Sequence, residues 1–117
     1  MNSNFLLLSA CLLMASTLQA SPLDQGDTAR GESLYQTYCA ACHGPDGRGL
    51  VPGTPDLTRR WKRSPPDWEQ VFESVRDGFQ SPGSPLAMPP RGGSDLSDSE
   101  LWDILAYMKQ RFASSTP

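Results

Sequence analysis

The sequence predicts a small all-α domain in which three main helices are joined by long loops. Three observations carry that expectation. Apolar residues recur at helical spacing in three segments, each opened by a residue able to cap a helix N-terminus. Between them lie stretches too dense in Gly and Pro for any regular element. No alternating strand pattern, internal repeat or second domain is visible along the 117 residues.

The chain opens on Phe5-Leu-Leu-Leu-Ser-Ala-Cys-Leu-Leu-Met-Ala15, an apolar run of secretory-signal length, followed by polar Ser16-Thr17 and the small Ala20. Cleavage after Ala20 is expected, which makes 1–20 a signal peptide and 21–117 the folded domain, with its core at about 27–112. No Lys or Arg precedes the run, and Leu18 is larger than a cleavage site favours. The run is short for a transmembrane span, although an uncleaved anchor is an alternative. Leu8-Ser9-Ala10-Cys11 resembles a lipoprotein box that would lipidate Cys11, but the apolar run continues past it through Met14. No membrane association is expected otherwise. Cleavage at Ala20 removes Cys11 and leaves Cys39 and Cys42 as the cysteines of the domain.

Asp27 can cap a first helix over about 28–39, with Gly31, Leu34, Tyr35 and Tyr38 on one stripe. At its end stands Cys39-Ala-Ala-Cys42-His43, and His43 is the only histidine in the chain. This spacing attaches c-type haem. On a helical turn the two sulfurs each reach one vinyl group on the same porphyrin edge, and the next residue projects its ring over the iron as the proximal ligand. A zinc site needs four tetrahedral ligands, and these three are too crowded to supply most of them. A thioredoxin-type motif expects a βαβ context. A plain disulfide stays open but gives no reason for His43.

Residues 44–55 read as a long loop, followed by the basic knot Arg59-Arg-Trp-Lys-Arg63. The plain reading of the knot is a solvated loop. The alternatives are that Arg59 or Arg60 and the Trp61 indole N–H serve a haem propionate, or that the cluster steers docking to an acidic partner. Pro65-Pro66 breaks the chain before a second helix at about 67–77, whose stripe is Trp68, Val71, Phe72 and Val75 and whose C′ residue is Gly78. Another Gly/Pro/Ser loop, 80–93, carries Met88. The last helix opens on a Ser97–Glu100 capping box and shows the stripe Leu101, Ile104, Leu105, Met108 and Phe112. Net charge is −3 at pH 7, all of it after residue 20, so nucleic acid is not an expected partner.

With these residues placed, nearly all of 27–112 resembles a monohaem class I cytochrome c of the bacterial periplasmic kind. The resemblance rests on four separated features: Gly31…Tyr35 ahead of Cys39-Ala-Ala-Cys-His-Gly44, Pro55-Asp-Leu57, Ala87-Met88-Pro89-Pro90, and Leu96 through Tyr107. It implies one covalent haem c. It further implies that the Pro55 carbonyl accepts a hydrogen bond from the proximal imidazole, that Leu57 packs on the proximal haem face, and that Ile104 and Tyr107 pack against the first helix at Gly31 and Tyr35. Met88 follows His43 by 45 positions, fewer than in mitochondrial members, so one haem edge is expected to be more exposed.

Met88 competes with Met108 for the distal iron position. Met108 lies in an apolar stripe where a core role suffices, whereas a thioether in a Pro-rich loop has no packing purpose, so Met88 is the expected ligand and a surface methionine the plain alternative. The function implied is a periplasmic one-electron carrier between redox proteins, not an enzyme. The alternatives are an accessory in the maturation of another redox enzyme, or a five-coordinate ligand-binding sensor in which Arg91 is the one nearby helper.

Overall fold

The computed structural model describes residues 15–114. The apolar run of the leader and Cys11 lie outside the described residues, and residues 15–20 are irregular and exposed. Five α-helices follow: α1 (Thr28–Tyr38), α2 (Ala40–His43), α3 (Leu57–Arg63), α4 (Trp68–Asp77) and α5 (Asp98–Met108). Among the described residues there is no strand, only a single antiparallel bridge between Phe79 and Met88, and no helix is long and apolar enough to cross a membrane.

The three anticipated helices form where their caps place them. Asp27 accepts the Arg30 N–H, Asp67 accepts those of Glu69 and Gln70, and Ser97 and Glu100 cap each other's backbone as a full box. Gly78 ends α4 at φ +84°. Past Met108 the last helix widens into a π-turn over Lys109–Ala113, which carries Phe112 inward.

The basic knot corrects the solvated-loop reading: Arg59–Arg63 lies on α3. Asp56 caps the helix by accepting the Arg59 N–H at 3.1 Å, and Leu57 and Trp61, one turn apart, are both buried. Two inward side chains anchor a helix whose other face is cationic. Tyr38 also departs from its expected stripe, being 40% exposed at the end of α1.

The core is built on α1 crossing α5. A methyl group at Gly31 would collide with the Asp103 carbonyl of α5, so only a residue without a side chain permits this approach. Around the crossing, Tyr35 packs on Tyr107 and Phe112 with ring centroids 5.5 and 5.3 Å apart, and Leu101, Ile104 and Leu105 are fully buried. A second layer joins α4 to α5, where Phe72 and Trp102 stack 4.2 Å apart, and Trp61 meets Trp68 edge-on.

Candidate functional site

The chemistry-bearing residues sit where α1 gives way to α2. The Cys39 N–H donates to the Tyr35 carbonyl at 2.9 Å, closing α1, and α2 restarts on the next residue. Cys39 is half-buried at this joint and Cys42 is exposed; both are free thiols. Burial, and secondarily the Cys42 neighbour, pushes the Cys39 thiol up to about 11. His43 is half-buried, and burial lowers its pKa. The ring is therefore held neutral, the form in which imidazole ligates a metal.

His43 Nδ1 is buried and has no hydrogen-bond partner. Such a group costs roughly 1–3 kcal/mol if nothing else uses it. Two free thiols on one turn, with a neutral imidazole on the adjoining residue, fit a covalently attached haem. Among the described residues no three His, Cys, Asp or Glu side chains gather to hold a metal ion, so the zinc reading finds no support.

The loop after His43 folds back over α2. The Gly49 N–H donates to the His43 carbonyl at 2.7 Å and the Leu50 N–H to the Cys42 carbonyl at 2.8 Å. Gly49 sits at φ +86°, and a Cβ there would stand 2.6 Å from the Thr54 carbonyl oxygen and 3.3 Å from that of Pro55. The imidazole Nδ1 has no partner in this structure, so the expected bond to the Pro55 carbonyl is not formed here. Two contacts tie the loop to the core: the Tyr35 hydroxyl donates to the Gly44 carbonyl at 2.6 Å, and the Phe112 ring lies on Gly47. The Leu57 N–H donates to the Gly47 carbonyl at 2.9 Å, which brings buried Leu57 and the start of α3 to the same loop.

Met88 is half-buried, and its backbone exchanges two hydrogen bonds with Phe79 just beyond α4, at 3.0 and 2.7 Å. The methionine loop meets the histidine loop directly: a Cβ at Gly53 would stand 2.9 Å from Ser84 Oγ and 3.1 Å from Pro85. Met108 is buried in the core, as a filler should be. Arg59, Arg60 and Arg63 line an open cleft of about 470 Å³ with Pro55 and Asp56, whereas Trp61 faces inward.

Two sets of structural contacts escape sequence reasoning, those of Arg91 and those of Asp103. Arg91 adopts φ +54°, donates to the Leu96 carbonyl at 2.7 Å and pairs with Asp98 at 2.8 Å. Asp103 is a buried carboxylate within the apolar run of α5. The second leaves a faint sign, an acidic residue between Trp102 and Ile104; the first leaves none, because its partners are set by the turn.

A family model described as cytochrome C oxidase, cbb3-type, subunit III matches residues 26–108. The chain is 42% identical to cytochrome c-554(548) of Halomonas halodenitrificans, over 70% of this chain and 93% of that protein. It is 34% identical to cytochrome c-555 of Prosthecochloris aestuarii, over 74% of this chain and 89% of that one. A thiosulfate dehydrogenase of Stutzerimonas stutzeri is 33% identical over 82% of this chain, which spans 32% of that larger protein.

Proposed function

The chain belongs to the monohaem class I cytochrome c family, and from that premise we propose which of its residues bind the cofactor and how they serve electron transfer. It carries covalent haem c and acts as an electron-carrier cytochrome. The haem supplies an iron that gains and loses one electron.

Cys39 and Cys42 form the two thioethers, and His43 is the proximal ligand. Met88 supplies the distal thioether, a soft donor that favours ferrous iron and raises the potential. Leu57 packs against the proximal face, and the Trp61 N–H, on the same inward face of α3, serves a propionate, while Arg59 stays with the outward cations. The observation that carries this reading is the half-buried imidazole of His43, its Nδ1 buried and without a partner, one residue from Cys42 and on the same helical turn as both thiols.

The protein works as a carrier and not as a catalyst. Its distal side has no histidine, and Arg91, the one cationic helper near Met88, is engaged by Leu96 and Asp98. The likeness to a thiosulfate dehydrogenase extends to about a third of that protein. Residues 1–20 direct export to the periplasm. There redox proteins dock weakly, and the exposed cations of α3 offer a surface for an acidic partner.

Substitution at the distal position tests the ligand set. In the ferric wild type a weak near-infrared charge-transfer band reports the sulfur–iron bond, and the ferrous form binds carbon monoxide poorly. Met88→Ala removes the band, admits carbon monoxide and lowers the potential; Met108→Leu does none of these. A band that survives in Met88→Ala assigns the sulfur to another residue, and a wild type that binds carbon monoxide avidly brings the sensor reading forward.

A further inference from the structure

We propose that Arg91 is a positioning residue for the Met88 thioether, locking the ligand loop onto the start of α5 through Leu96 and Asp98. The inference rests on Met88 as distal ligand and adds what holds it there. Arg91 is the one non-glycine at positive φ among the described residues, at +54°, followed by Gly92 and Gly93 in the same left-handed region. An L-residue pays for that conformation, which glycine adopts freely. The backbone alone therefore favours glycine at 91, and arginine is explained by what its side chain does.

The guanidinium spans the turn. Nη1 donates to the Leu96 carbonyl at 2.7 Å, and Nη2 pairs with Asp98 Oδ1 at 2.8 Å. Leu96 is buried and Asp98, its side chain 60% exposed, is the first residue of α5, so one anchor lies in the core and the other on the start of the helix. Ser94 reinforces the link, its hydroxyl donating to the Arg91 carbonyl at 2.6 Å while accepting the Leu96 N–H at 3.2 Å. With its side chain 28% exposed, Arg91 is the most sheltered cation in any ion pair of the described residues.

Between Arg91 and Met88 stand Pro89 and Pro90, whose rings fix φ and leave a stiff connector. Upstream, Met88 is held by its paired hydrogen bonds to Phe79 at the end of α4. The methionine is thus fastened on one side to α4 and on the other, through two prolines and Arg91, to α5. A thioether is a weak ligand and is displaced when its backbone can swing away. Fixing both ends keeps sulfur on the iron without asking more of the bond.

Four holo-protein variants test this: Arg91→Ala, Arg91→Gly, Arg91→Lys and Asp98→Asn. Stopped-flow carbon monoxide binding to ferrous protein and the ferric near-infrared band are read on each. Arg91→Ala is expected to bind carbon monoxide at least tenfold faster and to lose much of the band. Arg91→Gly does the same although it relieves the backbone strain, Arg91→Lys falls between, and Asp98→Asn gives a smaller change without touching the turn. Hydrogen exchange gives a readout independent of spectra: the Met88 and Phe79 amides exchange at least tenfold faster in Arg91→Ala, while those of α1 keep their protection. Wild-type band, carbon monoxide rate and amide exchange in Arg91→Ala overturn the proposal, as does a variant that loses only thermal stability. Met88→Ala, run beside them, separates the two readings: a band that survives there sinks the ligand assignment itself, whereas a band lost there but intact in Arg91→Ala sinks only the positioning role.

Discussion

Asp103 of α5 accepts the backbone N–H of Asp27 at 2.8 Å, so a buried carboxylate on the last helix holds the residue that caps the first. Asp27 in turn accepts the Arg30 N–H at 3.0 Å. The start of α1 is thereby fixed against α5 by polar contacts at the same crossing that Gly31 closes by shape.

Asp103→Ala is expected to destabilise the holo-protein by about 1–3 kcal/mol, because it leaves the Asp27 N–H without its acceptor in a partly buried position. Asp103→Asn keeps an oxygen acceptor and should cost less. Arg30→Ala should change little. Its side chain is 56% exposed and lies 3.7 Å from Asp103, and exposed pairs contribute little. Urea unfolding followed by far-ultraviolet circular dichroism ranks the three. Equal losses for Arg30→Ala and Asp103→Ala would place the stabilisation in the ion pair instead of the backbone contact.

Gly31 makes the stricter demand. Even Gly31→Ala puts a methyl group into the Asp103 carbonyl, and Ile104 N lies 3.0 Å from the same point. Backbone cannot yield as a side-chain tip can, so the helices must separate. A loss of about 1–3 kcal/mol is expected for the alanine and more for Gly31→Leu. Loosening the crossing also disturbs Tyr35, whose hydroxyl bonds the Gly44 carbonyl beside the haem-attachment turn. An alanine variant as stable as wild type in the same unfolding experiment would show that α1 and α5 cross elsewhere.

What could be read ahead of the structure was whatever is encoded locally. The caps at Asp27, Asp67 and Ser97 and the stripes behind them specify α1, α4 and α5 within a few residues of sequence. The thiol spacing marks the attachment turn for the same reason, since its chemistry is contained in five positions. Helix α3 was hidden because its apolar face is two residues, Leu57 and Trp61, embedded among four cations. Its Asp56 cap also looked like part of the preceding Pro-rich loop. The Phe79–Met88 bridge and the Arg91 contacts join segments whose meeting no local pattern announces.

Covalent attachment should depend on both thiols. Haem is expected to remain with the wild-type polypeptide through acid-acetone extraction and denaturing electrophoresis, since thioethers survive both. Changing Cys39 and Cys42 together to alanine should release it and leave a poorly folded chain, because so small a core depends on the porphyrin for its apolar centre. Haem staining of the gel and circular dichroism check the two halves. Haem freely extracted from the wild type would show that these thiols are not its attachment points.

The charge on α3 should be felt in the kinetics of electron exchange. Among the described residues Arg30, Arg48, Arg76, Arg91 and Lys109 pair with carboxylates, whereas Arg59, Arg60, Lys62 and Arg63 pair with none. Four free cations on one seven-residue helix of a chain with net charge −3 make a local positive field against an acidic background. If a partner approaches over α3, an anionic reagent such as ferricyanide is attracted despite the overall charge. Oxidation of the ferrous protein should then slow as salt is added, since exposed charges are screened beyond about 10 Å at 0.1 M. Arg60→Glu with Arg63→Glu, both at the exposed cleft, should slow the reaction by about three- to tenfold at low salt, with the difference collapsing above physiological ionic strength. Neither side chain supports the core, so stability should stay within about 0.5 kcal/mol. Rates that rise with salt in the wild type, or that ignore the double reversal, would place the docking surface away from α3.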